Sequence, residues 1–404
     1  MKIKIQKGTA RGRITAPPSK SMAHRLLICA AMSEGKSTVK GISECEDVLA
    51  TLDCLTALGI KTERQGCDVI VEGKSFKDIS PISPLKCRES GSTLRFMIPP
   101  AMLSGHTTVF YGAKSLMQRP MSIYENLFRE KGLTYIGDGE SIVVKGILCG
   151  GDYSLVGNVS SQFISGLIFA LPLADEDSRI KIAPPIESRS YINLTLSAIH
   201  KFGIKAEWSD EYTISIPGRQ KYLPTEVTVE GDYSGAAFPD ALNLFEGEVE
   251  IDGLDPESIQ GDAVYKKYFD MLKNGVPTIH IGDCPDLGPI LFAVAAAKSG
   301  GVFSGTKRLK IKESDRASVM AEELKKFGTA VTVYEDTVVV YPAKFEAPTE
   351  TLSGHNDHRI VMALAVLLTL VGGEIDGAEA ISKSYPEFFE HLSSLGIGVT
   401  EYEV

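Results

Sequence analysis

Six times along the 404 residues one phrase returns: an amphipathic helix tail, a glycine, a short strand, an acidic or glycine turn and often a second strand. A clear copy is Phe128-Arg129-Glu130-Lys131-Gly132, followed by Leu133-Thr134-Tyr135 and Ile142-Val143-Val144. The marker glycines are Gly59, Gly132, Gly203, Gly275, Gly328 and Gly396, so successive intervals are 73, 71, 72, 53 and 68. A glycine there suits a helix C′ position, where a left-handed residue turns the chain into a strand. Gly137-Asp138-Gly139, Asp210-Glu211 and Glu335-Asp336 suit hairpin turns between the paired strands. A recurring period of this size predicts six similar α/β units. The short interval of 53 predicts that the unit after Gly275 has lost its hairpin.

A chain this long exceeds one ordinary core, and six units divide naturally into three and three. The seam falls in Val229-Glu230-Gly231-Asp232-Tyr233-Ser234-Gly235, where a strand stops, a turn follows and a new helix begins. The N-terminal strand Met1-Lys2-Ile3-Lys4-Ile5 is expected to pair with the second half, so the chain crosses between domains twice. The predicted domains are therefore 1–18 plus 231–404, and 19–230.

Apolar content of 43% and charged content of 23% are those of a soluble globular protein. The apolar run Val361 to Val371 is too short to span a membrane, and the first residues lack a signal-peptide apolar region. Seven cysteines form no CxxC pair, which reads as reduced core thiols and a cytoplasmic setting. A formal charge of −10 argues against a nucleic-acid partner and makes any local cluster of cations informative.

Several helix starts carry cations and hydroxyls with few acids nearby in sequence. Ser19-Lys20-Ser21-Met22-Ala23-His24-Arg25 follows Pro17-Pro18 and runs into Leu26 to Met32. Ser90-Gly91-Ser92-Thr93-Leu94-Arg95, Gln118-Arg119-Pro120-Met121 and Asn158-Val159-Ser160-Ser161-Gln162-Phe163 precede further helices. Lys312-Glu313-Ser314-Asp315-Arg316, His355-Asn356-Asp357-His358-Arg359 and Lys383-Ser384-Tyr385-Pro386 do the same in the second half. Each alone is an ordinary capped helix. Repeated at equivalent places, they would gather Lys20, Arg25, Arg95, Arg119, Lys312, Arg316, Arg359 and Lys383 around small, multiply charged anions.

Other chemistries lack their signatures. The seven histidines show no HExxH or paired metal spacing, so neither metal nor cofactor is expected. There is no GxxxxGK[ST] loop, no GxGxxG after a strand and no GxSxG elbow.

Pro-x-Ser-Lys-Ser-x-x-x-Arg, Gly-Ser-Thr-x-Arg, Gln-Arg-Pro-Met, Val-Ser-Ser-Gln-Phe, Lys-Glu-Ser-Asp-Arg, Asn-Asp-His-Arg and Lys-Ser-Tyr-Pro occur in this order. From Lys20 to Lys383 the chain resembles the 5-enolpyruvylshikimate-3-phosphate synthase family. The resemblance implies an α/β fold, a two-domain inside-out α/β barrel with three βαβαββ-type units per domain and a cleft that closes on substrate. It implies transfer of the carboxyvinyl group of phosphoenolpyruvate to the 5-hydroxyl of shikimate 3-phosphate, in chorismate and aromatic amino-acid biosynthesis. It also implies a monomer that is a target of glyphosate, with these two small anions as its only partners.

Residue by residue, Lys20, Ser21, Arg25, Ser160, Ser161, Gln162, Ser188, Tyr191, Asp286 and Lys312 match the shikimate 3-phosphate positions. Lys20, Gly91, Arg119, Gln162, Arg316, Arg359 and Lys383 match those for phosphoenolpyruvate. Asp286 and Glu313 match the acid–base pair, with Lys20, Lys312 and His358 alongside. On this match the domain 19–230 serves shikimate 3-phosphate, and the discontinuous one supplies phosphoenolpyruvate contacts and the acid–base residues.

Two positions depart from the family. Glu89 stands where an asparagine is usual, so Arg88 or another cation must neutralise it, and Arg308 stands where a further asparagine often meets the shikimate ring. Two rivals have their own signatures. The sister transferase that acts on UDP-N-acetylglucosamine carries Lys-Asn in place of Lys20-Ser21, and a reactive cysteine that Gly112 to Gln118 lacks. A non-catalytic anion-binding homologue would lack one of the acids or cations, and all are present.

Overall fold

A computed structural model describes residues 1–402. The chain divides into two compact units, Lys20–Glu230 on one side and Met1–Ser19 with the chain from Gly231 onward on the other. Each has its own apolar core.

In Lys20–Glu230 the repeat becomes three four-stranded sheets of one pattern. Leu85–Lys86 runs parallel to Gly105–Tyr111, which pairs antiparallel with Ser141–Gly146, which pairs antiparallel with Thr134–Gly137. The same order links Glu226–Thr228, Gly35–Lys40, Asp68–Gly73 and Lys61–Gln65, and again Gly151–Val156, Ser178–Ala183, Thr213–Ile216 and Glu207–Trp208. Strand side chains alternate, as in Ser178–Ala183, where Ile180 and Ile182 are buried and their neighbours Arg179 and Lys181 exposed. The sheets therefore cover, and helices fill the middle.

Three helices matter most here: α1 (Lys20–Met32), α2 (Glu46–Ala57) and α3 (Gly91–Ala101). From Met22 onward every residue of α1 is buried, because its apolar residues surround the whole helix instead of forming one stripe. The helices Ser161–Ala170 and, in the discontinuous unit, Gly288–Ala297 and His358–Val371 are interior in the same way. Lys20–Met32, Ser161–Ala170 and His358–Val371 each start with a polar motif.

The discontinuous unit repeats the pattern with two changes. Thr278–His280, Gly301–Ser304, Thr337–Val340 and Val331–Val333 form a sheet of the standard order. In the last sheet the strand Lys2–Ile5 occupies the third place, between Gly373–Asp376 and Val399–Tyr402, with antiparallel partners such as Ile3 with Ile375 and Glu401. The third sheet is only Arg11–Thr15 beside Glu248–Asp252. No hairpin follows Gly275, as the short interval predicts.

The glycine expectation needs one correction. Gly59, Gly132, Gly203, Gly328 and Gly396 are left-handed, with φ between 69° and 88°. Gly275 is extended, at φ 169°, since no hairpin has to be entered there and the chain runs on to Thr278–His280. Among the described residues no helix is long and apolar enough to cross a membrane. The seven cysteines are all thiols; five are buried, while Cys67 and Cys149 are exposed.

Candidate active site

In Lys20–Glu230 the predicted residues gather at helix starts. Lys20 opens α1, and its Nζ lies 2.9 Å from Asp47 Oδ2 in the first turn of α2. Ser21 follows, and its carbonyl accepts from Arg25 Nη1 at 2.6 Å. Arg25 is 2% exposed; its Nε donates to Thr195 Oγ1 and its Nη2 to the Tyr191 carbonyl, and its guanidinium lies over Phe96. Burial lowers its pKa to about 10.

Gly91 opens α3, capped by Ser90, whose Oγ accepts from Thr93 N at 3.2 Å. A Cβ at Gly91 would sit 2.9 Å from Arg119 Nη1, so the missing side chain lets that guanidinium come close. Gln162 spans two helices: its Nε2 donates to Ser92 Oγ at 2.9 Å, and its Oε1 accepts from Arg95 Nη1 at 2.7 Å. Ser160 caps the helix Ser161–Ala170, accepting from Gln162 N, and Ser161 is buried at its first position. Ser188 precedes the helix Arg189–Lys201 in the left-handed region, at φ 56° and ψ 40°. Such a backbone is uncommon for a serine and sets its hydroxyl apart from an ordinary cap.

The discontinuous unit is built differently. Arg316, 1% exposed, opens the helix Arg316–Lys325 and ties three carboxylates together. Its Nε is 2.8 Å from Asp357 Oδ2, its Nη1 2.8 Å from Asp286 Oδ1 and its Nη2 2.5 Å from Glu313 Oε2. Burial alone would lower its pKa, but Asp357, Glu313 and Asp286 outweigh that and raise it. Asp286 also meets Lys312 Nζ at 3.1 Å and Arg359 Nη2 at 3.2 Å. Burial lowers the pKa of Lys312 against the opposing pull of Asp286, with Arg308 and Arg316 adding to the fall.

Asp357, wholly buried, caps the helix His358–Val371 through Arg359 N and takes a bond from Ser314 Oγ. Buried His358 opens that helix, and Arg359 Nη1 donates to Ser234 Oγ at 2.8 Å. Lys383 Nζ donates to the Asn356 carbonyl at 2.6 Å. His355 and Asn356 are both left-handed, at φ 47° and 52°, and Glu323 holds this turn. That wholly buried carboxylate accepts from Ser353 N and Lys326 Nζ and meets His355 Nε2 at 2.9 Å. Glu322, Glu323 and His355 could in principle ligate an ion, but Lys326 Nζ already sits 2.9 Å from both Glu323 oxygens.

One expectation is overturned. The helix starts do not gather cations with few acids; Asp47, Asp286 and Asp357 come to them from 27 to 41 positions away, and Glu313 from within Arg316's own motif. Burying unpaired charge is so costly that the fold supplies counter-charges. Asp47, Ser92, Ser234 and Asp357 are thus polar members that sequence reasoning left out of the site. The available signal was their place one to four residues from a motif residue or helix start. At the departures, Arg88 is held by Glu46 and Asp53, and Glu89 accepts from Ser115 Oγ at 3.3 Å. Arg308 is buried, with Nη1 on the Gly282 carbonyl.

Fold and polar geometry together define an α/β protein of two three-repeat units with cations, carboxylates and hydroxyls clustered at helix starts. Residues 5–392 match the family described as EPSP synthase (3-phosphoshikimate 1-carboxyvinyltransferase). The 3-phosphoshikimate 1-carboxyvinyltransferase of Clostridium acetobutylicum is 37% identical over 425 residues, covering 100% of this chain and 99% of its own. That of Clostridium perfringens is 36% identical over 417 residues, covering 98% of each. The EPSP synthase structure from Acinetobacter baumannii superposes at a TM-score of 0.80 with 25% identity, over 99% of this chain and 100% of that one. The chain belongs to the EPSP synthase family.

Proposed function

We propose that this chain transfers the carboxyvinyl group of phosphoenolpyruvate to the 5-hydroxyl of shikimate 3-phosphate and releases phosphate. The observation that carries the reading is the hub in which Asp286 and Glu313 share the buried guanidinium of Arg316. It gathers proton-handling carboxylates and fixed cations, and the reaction needs both.

The 5-hydroxyl must lose a proton while the vinyl carbon of phosphoenolpyruvate gains one. Phosphate then leaves the tetrahedral intermediate as that carbon returns its proton. Asp286 and Glu313 are assigned this traffic, with Lys20, Lys312 and His358 alongside. Lys312 suits the task because its lowered pKa brings it nearer the working range of a proton carrier. Arg316 and Arg359, held in place before substrate arrives, stabilise charge on the carboxylate and the leaving phosphate.

In Lys20–Glu230, we assign Lys20, Ser21, Arg25, Ser160, Ser161, Gln162, Ser188 and Tyr191 to shikimate 3-phosphate, together with Asp286 and Lys312 of the discontinuous unit. Lys20, Gly91, Arg119, Gln162, Arg316, Arg359 and Lys383 are assigned to phosphoenolpyruvate. Most of Arg25's bonds go to Ser21, Tyr191 and Thr195, so its role is to steady that serine and tyrosine as much as to touch substrate. We place the protein in the cytoplasm, as a monomer.

The test is to mix the protein with shikimate 3-phosphate and phosphoenolpyruvate, without added metal, and follow phosphate. Release is expected. Release only with UDP-N-acetylglucosamine would overturn the reading, and tight binding without turnover would make the chain a binding homologue.

A further inference from the structure

The interior of Lys20–Glu230 contains a line of polar side chains that the reaction does not use. His24 Nδ1 lies 2.7 Å from Thr51 Oγ1, Thr51 Oγ1 lies 2.8 Å from Thr93 Oγ1, and Thr93 Oγ1 lies 2.8 Å from Ser90 Oγ. A branch runs from Thr93 Oγ1 to the Asp47 carbonyl at 3.3 Å. His24, Thr51, Thr93 and Ser90 are all wholly buried. Four polar groups in an apolar core are costly unless satisfied, so their arrangement is tightly specified.

The line joins three helices at functional places. His24 is one turn past Lys20 on α1, Thr51 one turn past Asp47 on α2, and Ser90 is the cap that starts α3 at Gly91. Lys20 and Asp47 are themselves an ion pair, so the line and the pair tie α1 to α2 twice. Thr93 then ties both to the helix start bearing Gly91.

Proton positions give the line a direction. Burial, together with Lys20 and Arg25, holds the His24 pKa well below its ordinary value, so the ring is neutral and carries one N–H. Its Nε2 is buried without a hydrogen-bond partner. A proton on Nε2 would strand a donor, whereas a proton on Nδ1 strands only a lone pair. With Nδ1–H donating to Thr51, Thr51 donates to Thr93, and Thr93 donates to Ser90 Oγ or the Asp47 carbonyl.

We propose that His24, Thr51 and Thr93 are positioning residues: a directed hydrogen-bond relay from His24 holds the Lys20–Asp47 pair and the Gly91 helix start in register for phosphoenolpyruvate. This rests on the assignment of Lys20 and Gly91 to that substrate. The relay touches no substrate. It acts through the backbone of Asp47 and the cap of α3.

Valine matches threonine in shape but lacks the hydroxyl, and serine keeps the hydroxyl. Thr51→Val and Thr93→Val are expected to raise the KM for phosphoenolpyruvate about tenfold with kcat changed less than about twofold, while Thr51→Ser and Thr93→Ser stay within about twofold of the parent. Ring-nitrogen NMR of His24 in the unaltered protein reads the relay without turnover or a variant. A ring that stays neutral, with its proton on Nδ1, as the pH falls from 8 through the ordinary histidine range is expected. An Nε2–H ring, a ring titrating near its ordinary pKa, or valine variants with the parent's KM would overturn the proposal. If the unaltered protein releases no phosphate, the reaction assignment fails, yet the ring measurement still reports on the relay.

Discussion

The two units fasten their functional side chains by different means. At the helix starts of Lys20–Glu230 the fastening is largely neutral: hydroxyls of Ser90, Ser92, Thr51 and Thr93, the Gln162 amide and the His24 ring. In the discontinuous unit one buried guanidinium, Arg316, fastens Asp286, Glu313 and Asp357. A neutral hydrogen bond contributes roughly 1 kcal/mol and can be lost singly. A buried charge cluster fails as a whole, because removing one member leaves its partners uncompensated. The neutral set is therefore tunable and the charged set brittle.

The largest effect should come from striking the brittle set. Asp357→Ala is expected to lower the unfolding free energy by roughly 3–5 kcal/mol in urea titrations, since it takes the acceptor from buried Arg316 Nε and from Ser314 Oγ and uncaps a helix. A loss of only about 1 kcal/mol would show that the charged set is no more brittle than a neutral hydrogen bond.

Next are the carboxylates themselves. Asp286→Ala and Glu313→Ala should lower kcat by about 10²–10⁴ while binding of both substrates, measured by calorimetry, changes far less. Unchanged turnover in either variant would remove that residue from the acid–base role.

In the neutral set the expected effects are smaller. Gly91→Ala pushes on Arg119 Nη1, the far end of a mobile side chain, so the fold should hold within about 1 kcal/mol. The KM for phosphoenolpyruvate should rise roughly tenfold and inhibition by glyphosate should weaken. Unchanged inhibition would count against close packing of ligand on Gly91.

The smallest effect is one of pH. Folded His24 refuses a proton that the unfolded chain accepts near pH 6.5, so the unfolded state binds more protons below that pH. Stability therefore falls with acid by about 1.4 kcal/mol per pH unit from this residue, and is flat above about pH 7. His24→Asn should flatten that acid slope below pH 6.5. An unaltered slope would mean that His24 is protonated in the fold.

Much of this was legible in the sequence because it depends on local geometry. Gly132 marks a helix end whatever lies across the unit, and the interval after Gly275 announces a missing hairpin. Lys20, Gly91, Arg316 and Arg359 stand out for the same reason: each opens a helix or lies one residue inside it. What stayed hidden is what folding brings from afar. Asp47 is 27 positions from Lys20 and Asp357 is 41 from Arg316, so counting charges along the chain made these places look more cationic than they are. Arg25 reads as an anion-binding cation beside Lys20, yet the all-apolar stretch that follows carries it inward, where its guanidinium meets Thr195 and Phe96.

The strand Lys2–Ile5 has a consequence for how the protein is made. It leaves the ribosome long before its partners Gly373–Asp376 and Val399–Tyr402. At typical synthesis rates of about 5–20 residues per second, it waits on the order of tens of seconds with its edges open. Lys20–Glu230 needs nothing made later and can close while translation continues. The charged hub, by contrast, belongs to a unit whose last sheet joins strands made late to one made about 370 residues earlier.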